Sequence, residues 1–278
     1  MVKVIDIDAL FDEYISEYVY SNIGKVKPEE IEDKIPQLYV QFGDTSLAQL
    51  DGKTPNTYYC DYNCYELLGC LKEHLSTGVA ISDFLCEAIT KSQDSQTYLE
   101  SALDEQDNEE FLVYVMNMLL ELNSKRGADR YIEFISWDYG DSVRELATEL
   151  LSSFADDVKD KLLIAYEEAE SDKKAYFTEI LSHCKWDDRV FNLLINEFNA
   201  HLDNVPLYAS YLSKYGDDRA IPYLTAVIED ENISYVDFEE LRFAIEALGG
   251  AYDKKRDFSK DKTFKKIMEQ KPNKPIIS

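Results

Sequence analysis

Cys60, Cys64, Cys70 and His74 fall within fifteen residues and have the side chains that bind zinc, thiolates and an imidazole. Their spacing speaks against it. On one continuous helix turning about 100° per residue, Cys64 and Cys70 point apart and do not converge with His74. Only a break near Gly69 would rescue the set, so buried thiols with a surface histidine are expected instead. His183-Cys184 lies beside Trp186, but a thiol and its base must face each other from different elements. A core cysteine next to a turn histidine is the better reading. Carboxylate pairs such as Glu109-Glu110, Glu167-Glu168 and Glu239-Glu240 would do acid–base work only if burial split their pKa values. Among 55 acidic residues such pairs arise by chance on solvated helix faces. No glycine-rich phosphate loop, nucleophile elbow or H-E-x-x-H motif occurs. No catalytic residue, cofactor or metal is expected.

The remaining candidates would bind rather than react. Tyr208, Tyr211 and Tyr215 repeat at i, i+3 and i+7, either as an aromatic anchor for a partner or as a buried packing face, with Leu207 and Leu212 competing for the core. Glu145, Glu179 and Glu239 lie on neighbouring segments of the same kind and complete the expected partner-binding set.

These residues must be positioned by helices. The 278-residue chain is 45% hydrophobic and 30% charged, so it folds, and its ten glycines and seven prolines are few. The most informative pattern is a repeat. Asp129, Asp157, Asp188 and Asp218 each open an apolar run at helical spacing, 28, 31 and 30 residues apart. An acid there caps free N–H groups and suits the positive end of the helix dipole. Second helical patterns follow at roughly Ser142 to Phe154, Asp172 to Cys184, Asn204 to Tyr215 and Val236 to Leu248. Two helices per thirty residues, in tandem, describe an αα-solenoid whose stacked units share a core. Upstream, helices are expected over Asp6–Tyr20, Pro28–Phe42, Tyr62–His74, Ser82–Lys91, Thr97–Glu105 and Glu109–Leu122, with Asn108 capping the last.

Asp141-Ser142-Val143-Arg144-Glu145-Leu146-Ala147 and Leu241-Arg242-Phe243-Ala244-Ile245-Glu246-Ala247-Leu248-Gly249 resemble the second helix of short bacterial, phycobilin-lyase-like HEAT repeats, with Arg144 and Arg242, and Leu150 and Leu248, in register. Gly216 to Leu224, including Pro222, is similar to the turn and first helix of that family. Asp172–Cys184 lacks the Val-Arg pair, and Asn204–Tyr215 carries Pro206-Leu207 in its place. The resemblance implies an all-α fold, a right-handed αα-superhelix of five to six helix pairs. Residues 1–54 would form an N-terminal helical cap and loop, 55–250 the HEAT-like solenoid and 251–278 a basic C-terminal tail. The enzymes of this architecture fit poorly. Its iron-dependent hydroxylases need His-Glu pairs, which are absent here, its DNA glycosylases need a basic face, and nothing points to a lyase pigment.

Charge narrows the partner. The chain carries −26, and residues 251–278 hold nine bases against four acids, leaving a body of −31. Such acidity repels phosphate backbones, so direct nucleic-acid binding is disfavoured, while the basic tail is either folded back on the body or solvated. No apolar run long enough to span a membrane and no signal peptide is read from the sequence, and five scattered cysteines make no disulfide framework. The expectation is a cytoplasmic, non-enzymatic module that docks a basic protein or peptide on an acidic concave face. The alternative is an enzyme or small-ligand carrier with a pocket between the N-terminal cap and the solenoid.

Overall fold

A computed structural model describes residues 2–23, 31–105 and 108–270. The expected helix start at Pro28, and Lys271 and Lys274 of the basic tail, lie outside the described residues. The protein is all-α: no strand occurs among the described residues, and helices pack on neighbours in sequence order in the manner of an αα-solenoid. No helix among them is long and apolar enough to cross a membrane. The chain divides into two compact units, Met1–Arg130 and Tyr131–Ser278.

The first unit contains α1 (Ile7–Ser21), α2 (Ile35–Gly43), α3 (Pro55–Tyr58), α4 (Cys64–Thr77), α5 (Asp83–Lys91), α6 (Ser95–Ala102) and α7 (Glu109–Glu121). Local chemistry sets their ends. Asn63 and Glu66 form a reciprocal capping box at the start of α4, with bonds of 3.0 Å each way. The Asn108 side chain accepts from Phe111 N–H, as its position implied. Gly78 closes α4 in the left-handed region, φ 66°. The stretch from Gly43 to Pro55 is a tight turn anchored by the fully buried Leu50. α1, α2 and α5 join in one aromatic cluster. Tyr39 stacks on Phe84 at 5.2 Å, and Phe42 touches Phe11, Tyr14 and Phe84. The boundary between the two compact units falls inside α8 (Ala128–Ser136).

In the second unit the expected alternation of first and second helices is present, and three of the four expected pairs pack closely. First helices are α8, α10 (Ala155–Glu168), α12 (Asp188–Ala200) and α14 (Ile221–Ile228). Second helices are α9 (Asp141–Ser153), α11 (Lys174–Leu181), α13 (Val205–Tyr215) and α15 (Tyr235–Ala247). Pro206 and Pro222 sit in the first turns of α13 and α14, where no backbone N–H is needed. α10, α12 and α14 pack on α11, α13 and α15 in turn, and α9 on α11 and α13 on α15 extend the second-helix layer.

Asp187 and Asp217, each directly before one of the repeat-opening acids Asp188 and Asp218, do more than cap. Asp187 and Asp217 each accept the backbone N–H two residues on and grip that residue's guanidinium, Arg189 and Arg219. Arg189 then reaches Asp160, and Arg219 reaches Asp188, each at 2.8 Å. Each arginine thus ties its own repeat to the preceding one. The Arg219 guanidinium, bonded to the buried Asp217, holds that carboxyl below the usual carboxylate range. A depressed native pKa contributes stability that is full above the unfolded value of about 3.9 and fades as pH falls through the native value. Asp217→Asn is therefore expected to lower the urea midpoint at pH 7 and to lie closer to the parent at pH 3, below the unfolded value. A constant gap at both pH values would contradict this.

The tail is not simply solvated. Lys254 and Tyr252 bind Glu229, and the Arg256 guanidinium donates to the Asp230 carbonyl. Phe258 packs on Phe238 and Tyr235, and α16 (Lys262–Gln270) docks Phe264 against Tyr235 at 4.9 Å. Asp261 caps α16 and also accepts the Tyr235 N–H. Residues 252–264 thereby cover the outer face of the last helix pair.

Candidate functional site

The second helices carry the candidate binding face. Glu145, Thr148, Glu149 and Ser152 follow one another at i, i+3, i+4 and i+7 along α9, while Tyr176, Glu179 and His183 do so along α11 and its end. With Lys214 of α13 they line one open cavity of about 380 Å³. Two residues expected from sequence, Glu145 and Glu179, are thus brought together. Glu149 was missed, although it lies one helical turn after Glu145. The three glutamates form no ion pair among the described residues. The ammonium of Lys214 instead lies 3.2 Å from His183 Nε2, which accepts from it. Partial burial and that ammonium lower the His183 pKa. The cavity therefore presents three carboxylates against one cation, with tyrosine and hydroxyl groups between them.

Glu239 is not part of this cavity. It pairs with Arg242 at 2.7 Å, as Asp141 pairs with the equivalent Arg144. The tyrosine stripe is likewise not an open surface. Tyr208, Tyr211 and Tyr215 are all close to 5% exposed. Tyr208 stacks on His201 and meets Tyr211 edge-on, and the Tyr215 hydroxyl accepts the Asp187 N–H while donating to the Asp187 carbonyl. The stripe packs because α13 is covered on two sides, by α12 and α15. Leu212 joins it in the core and Leu207 is left at the surface.

The cysteine string also resolves. α4 runs unbroken through Gly69, and Cys64 and Cys70 are buried, with burial pushing both thiols up to about 11. His74, expected at the surface, is buried because the chain turns back after Gly78. Its Nδ1 then sits 2.8 Å from the Ala80 carbonyl, a hydrogen bond that makes Nδ1 the protonated nitrogen. Cys184 is buried, which raises its thiol pKa, and feels the charges of Lys159 and Asp156, whereas His183 meets Lys214, so the adjacent pair has separate surroundings.

A more enclosed cavity lies in the first unit, where the N-terminal segment meets α4 and α6. It has about 590 Å³ and is lined by Val2, by Tyr65, Glu66, Leu68, Gly69, Cys70, Lys72 and Glu73 of α4, and by Tyr98, Ser101, Ala102 and Glu105. His74 is not among these residues. Lys72 and Glu105 close one end as an ion pair of 2.5 Å.

The chain matches no protein-family model, no curated protein and no solved structure.

Proposed function

We propose that the protein is a binding module that docks a basic protein or peptide segment on the second-helix face of its second unit. The observation that carries this reading is the convergence of Glu145, Glu149 and Glu179 on one open cavity without an ion-pairing partner among the described residues. Like-charged carboxylates at a surface raise the local concentration of a cationic partner and speed its arrival, an effect that salt screens. Tyr176 and the hydroxyls of Thr148 and Ser152 add apolar contact and hydrogen bonds that a lysine or arginine chain uses. The second helices pack α9 on α11 and α13 on α15, and the Asp–Arg ties link the first helices behind them, a repeated frame that suits an extended ligand. The HEAT-like segments at Asp141–Ala147 and Leu241–Gly249 fit this role, in which the protein acts without chemistry of its own.

The test is titration of the full chain with a short lysine-rich peptide by fluorescence anisotropy at low and at raised salt. Replacing Glu145, Glu149 and Glu179 together by lysine is expected to weaken binding by about tenfold or more, roughly 1.4 kcal/mol. The same charge change made at Asp12, Glu13 and Glu17 is expected to have little effect. Equal losses from the two triple variants would reduce the interaction to net charge alone and sink the proposal.

A further inference from the structure

We infer that the cavity between α4 and α6 is a binding site for an organic cation carried on an apolar stem, a protonated amine or a guanidinium. Its volume of about 590 Å³ falls in the range of small-ligand sites. Gly69 is the most telling residue. It lies in the middle of α4, where alanine would favour the helix, and a Cβ built there meets nothing within 4 Å. No neighbouring helix therefore requires a glycine at this point. What the missing side chain does is leave the cavity open above Leu68, Cys70 and Ala102, an apolar floor.

The walls select charge. Tyr65 and Tyr98 both line the cavity and both are exposed, and aromatic rings of this kind attract cations. Glu105 is matched by Lys72, which among the described residues lining the cavity leaves Glu66 and Glu73 as the charge that a ligand meets. Glu66 also receives the Asn63 N–H at 3.0 Å, which anchors its side chain at the start of α4. A carboxylate or phosphate would meet net repulsion there, and a neutral ligand would gain no charge attraction from the two carboxylates. An ammonium on a hydrocarbon stem uses the floor, the rings and the acids together. Such a group comes either as a free amine or as a lysine side chain of a peptide. The site lies in the first unit and stands independently of the role given to α9, α11 and α13.

The experiment is isothermal titration of the full chain with three probes: phenethylamine, its neutral isostere 2-phenylethanol, and a capped Ala-Phe-Lys-Ala peptide. Phenethylamine or the peptide is expected to bind about tenfold tighter than 2-phenylethanol, and whichever of the two binds tighter identifies the source of the group. Gly69→Leu should remove binding, while Gly69→Ala, which adds only a Cβ, should keep it within about threefold. Thermal melts of both variants separate a filled cavity from a misfolded chain. Glu73→Gln, at an exposed position, should weaken the cations severalfold and leave 2-phenylethanol unchanged. The inference is overturned if neither cation binds at about 10 mM, if 2-phenylethanol binds as well as the amine, or if well-folded Gly69→Leu binds unchanged.

Discussion

Phe258→Ala is expected to destabilise the second unit by roughly 3 kcal/mol, near the low end for deletion of a buried aromatic because the site lies at the edge of the fold. Phe258 is buried, with its ring 5.0 Å from Phe238 and 5.3 Å from Tyr235. Removing it opens a cavity under α16 and loosens the Tyr235–Phe264 contact as well. The outer face of a terminal repeat has no neighbour to cover its apolar side chains, so something must cap it. Residues 252–264 do so, and their bases bind Glu229 and the Asp230 carbonyl. Urea denaturation gives the value, and faster amide exchange in α15 would locate it. A change below about 0.5 kcal/mol, the range for ordinary surface positions, would mean that the tail is not a cap.

Tyr211→Ala should cost about 3–4 kcal/mol for the same kind of reason. The ring is buried, meets Tyr208 edge-on at 5.7 Å, and lies on a helix packed from two sides. Glu145→Ala, by contrast, removes an exposed carboxylate and should change stability by less than about 0.5 kcal/mol. Denaturation of the two variants side by side separates the packing face from the binding face. A stable Tyr211→Ala protein that no longer binds a lysine-rich peptide would reverse the assignment of the two.

The layout of the second unit was legible because an acid opens each first helix, doubled at α10, α12 and α14, and a 3.6-residue apolar rhythm follows it. Asp187 and Asp217 cap as their position implies, and the prolines fall where the missing N–H costs nothing. The tyrosine stripe was not decidable from α13 alone. Its burial depends on how many neighbours the helix has, and a helix flanked by both α12 and α15 hides a wider band than one with a single partner. His74 escaped for a similar reason, since the turn at Gly78 brings the Ala80 carbonyl to it from beyond its own helix. The charge asymmetry of the tail was plain, but the phenylalanines that dock it are separated from their partners by 20 to 29 residues. Of the acids, Glu145 and Glu179 were found by their place on second helices. Glu239 was set apart by Arg242, an i+3 pair that the sequence already displays. The cavity beside Gly69 needs Val2, α4 and α6 together, and no local pattern announces it.

The most direct test of the docking face is hydrogen exchange with and without a saturating lysine-rich peptide. Protection is expected along α9, α11 and the end of α13, the segments that carry Glu145, Glu149, Glu179 and Lys214, and it should vanish in the triple lysine variant. Protection spread evenly over all acidic helices, or confined to α1 and α2, would contradict the assignment.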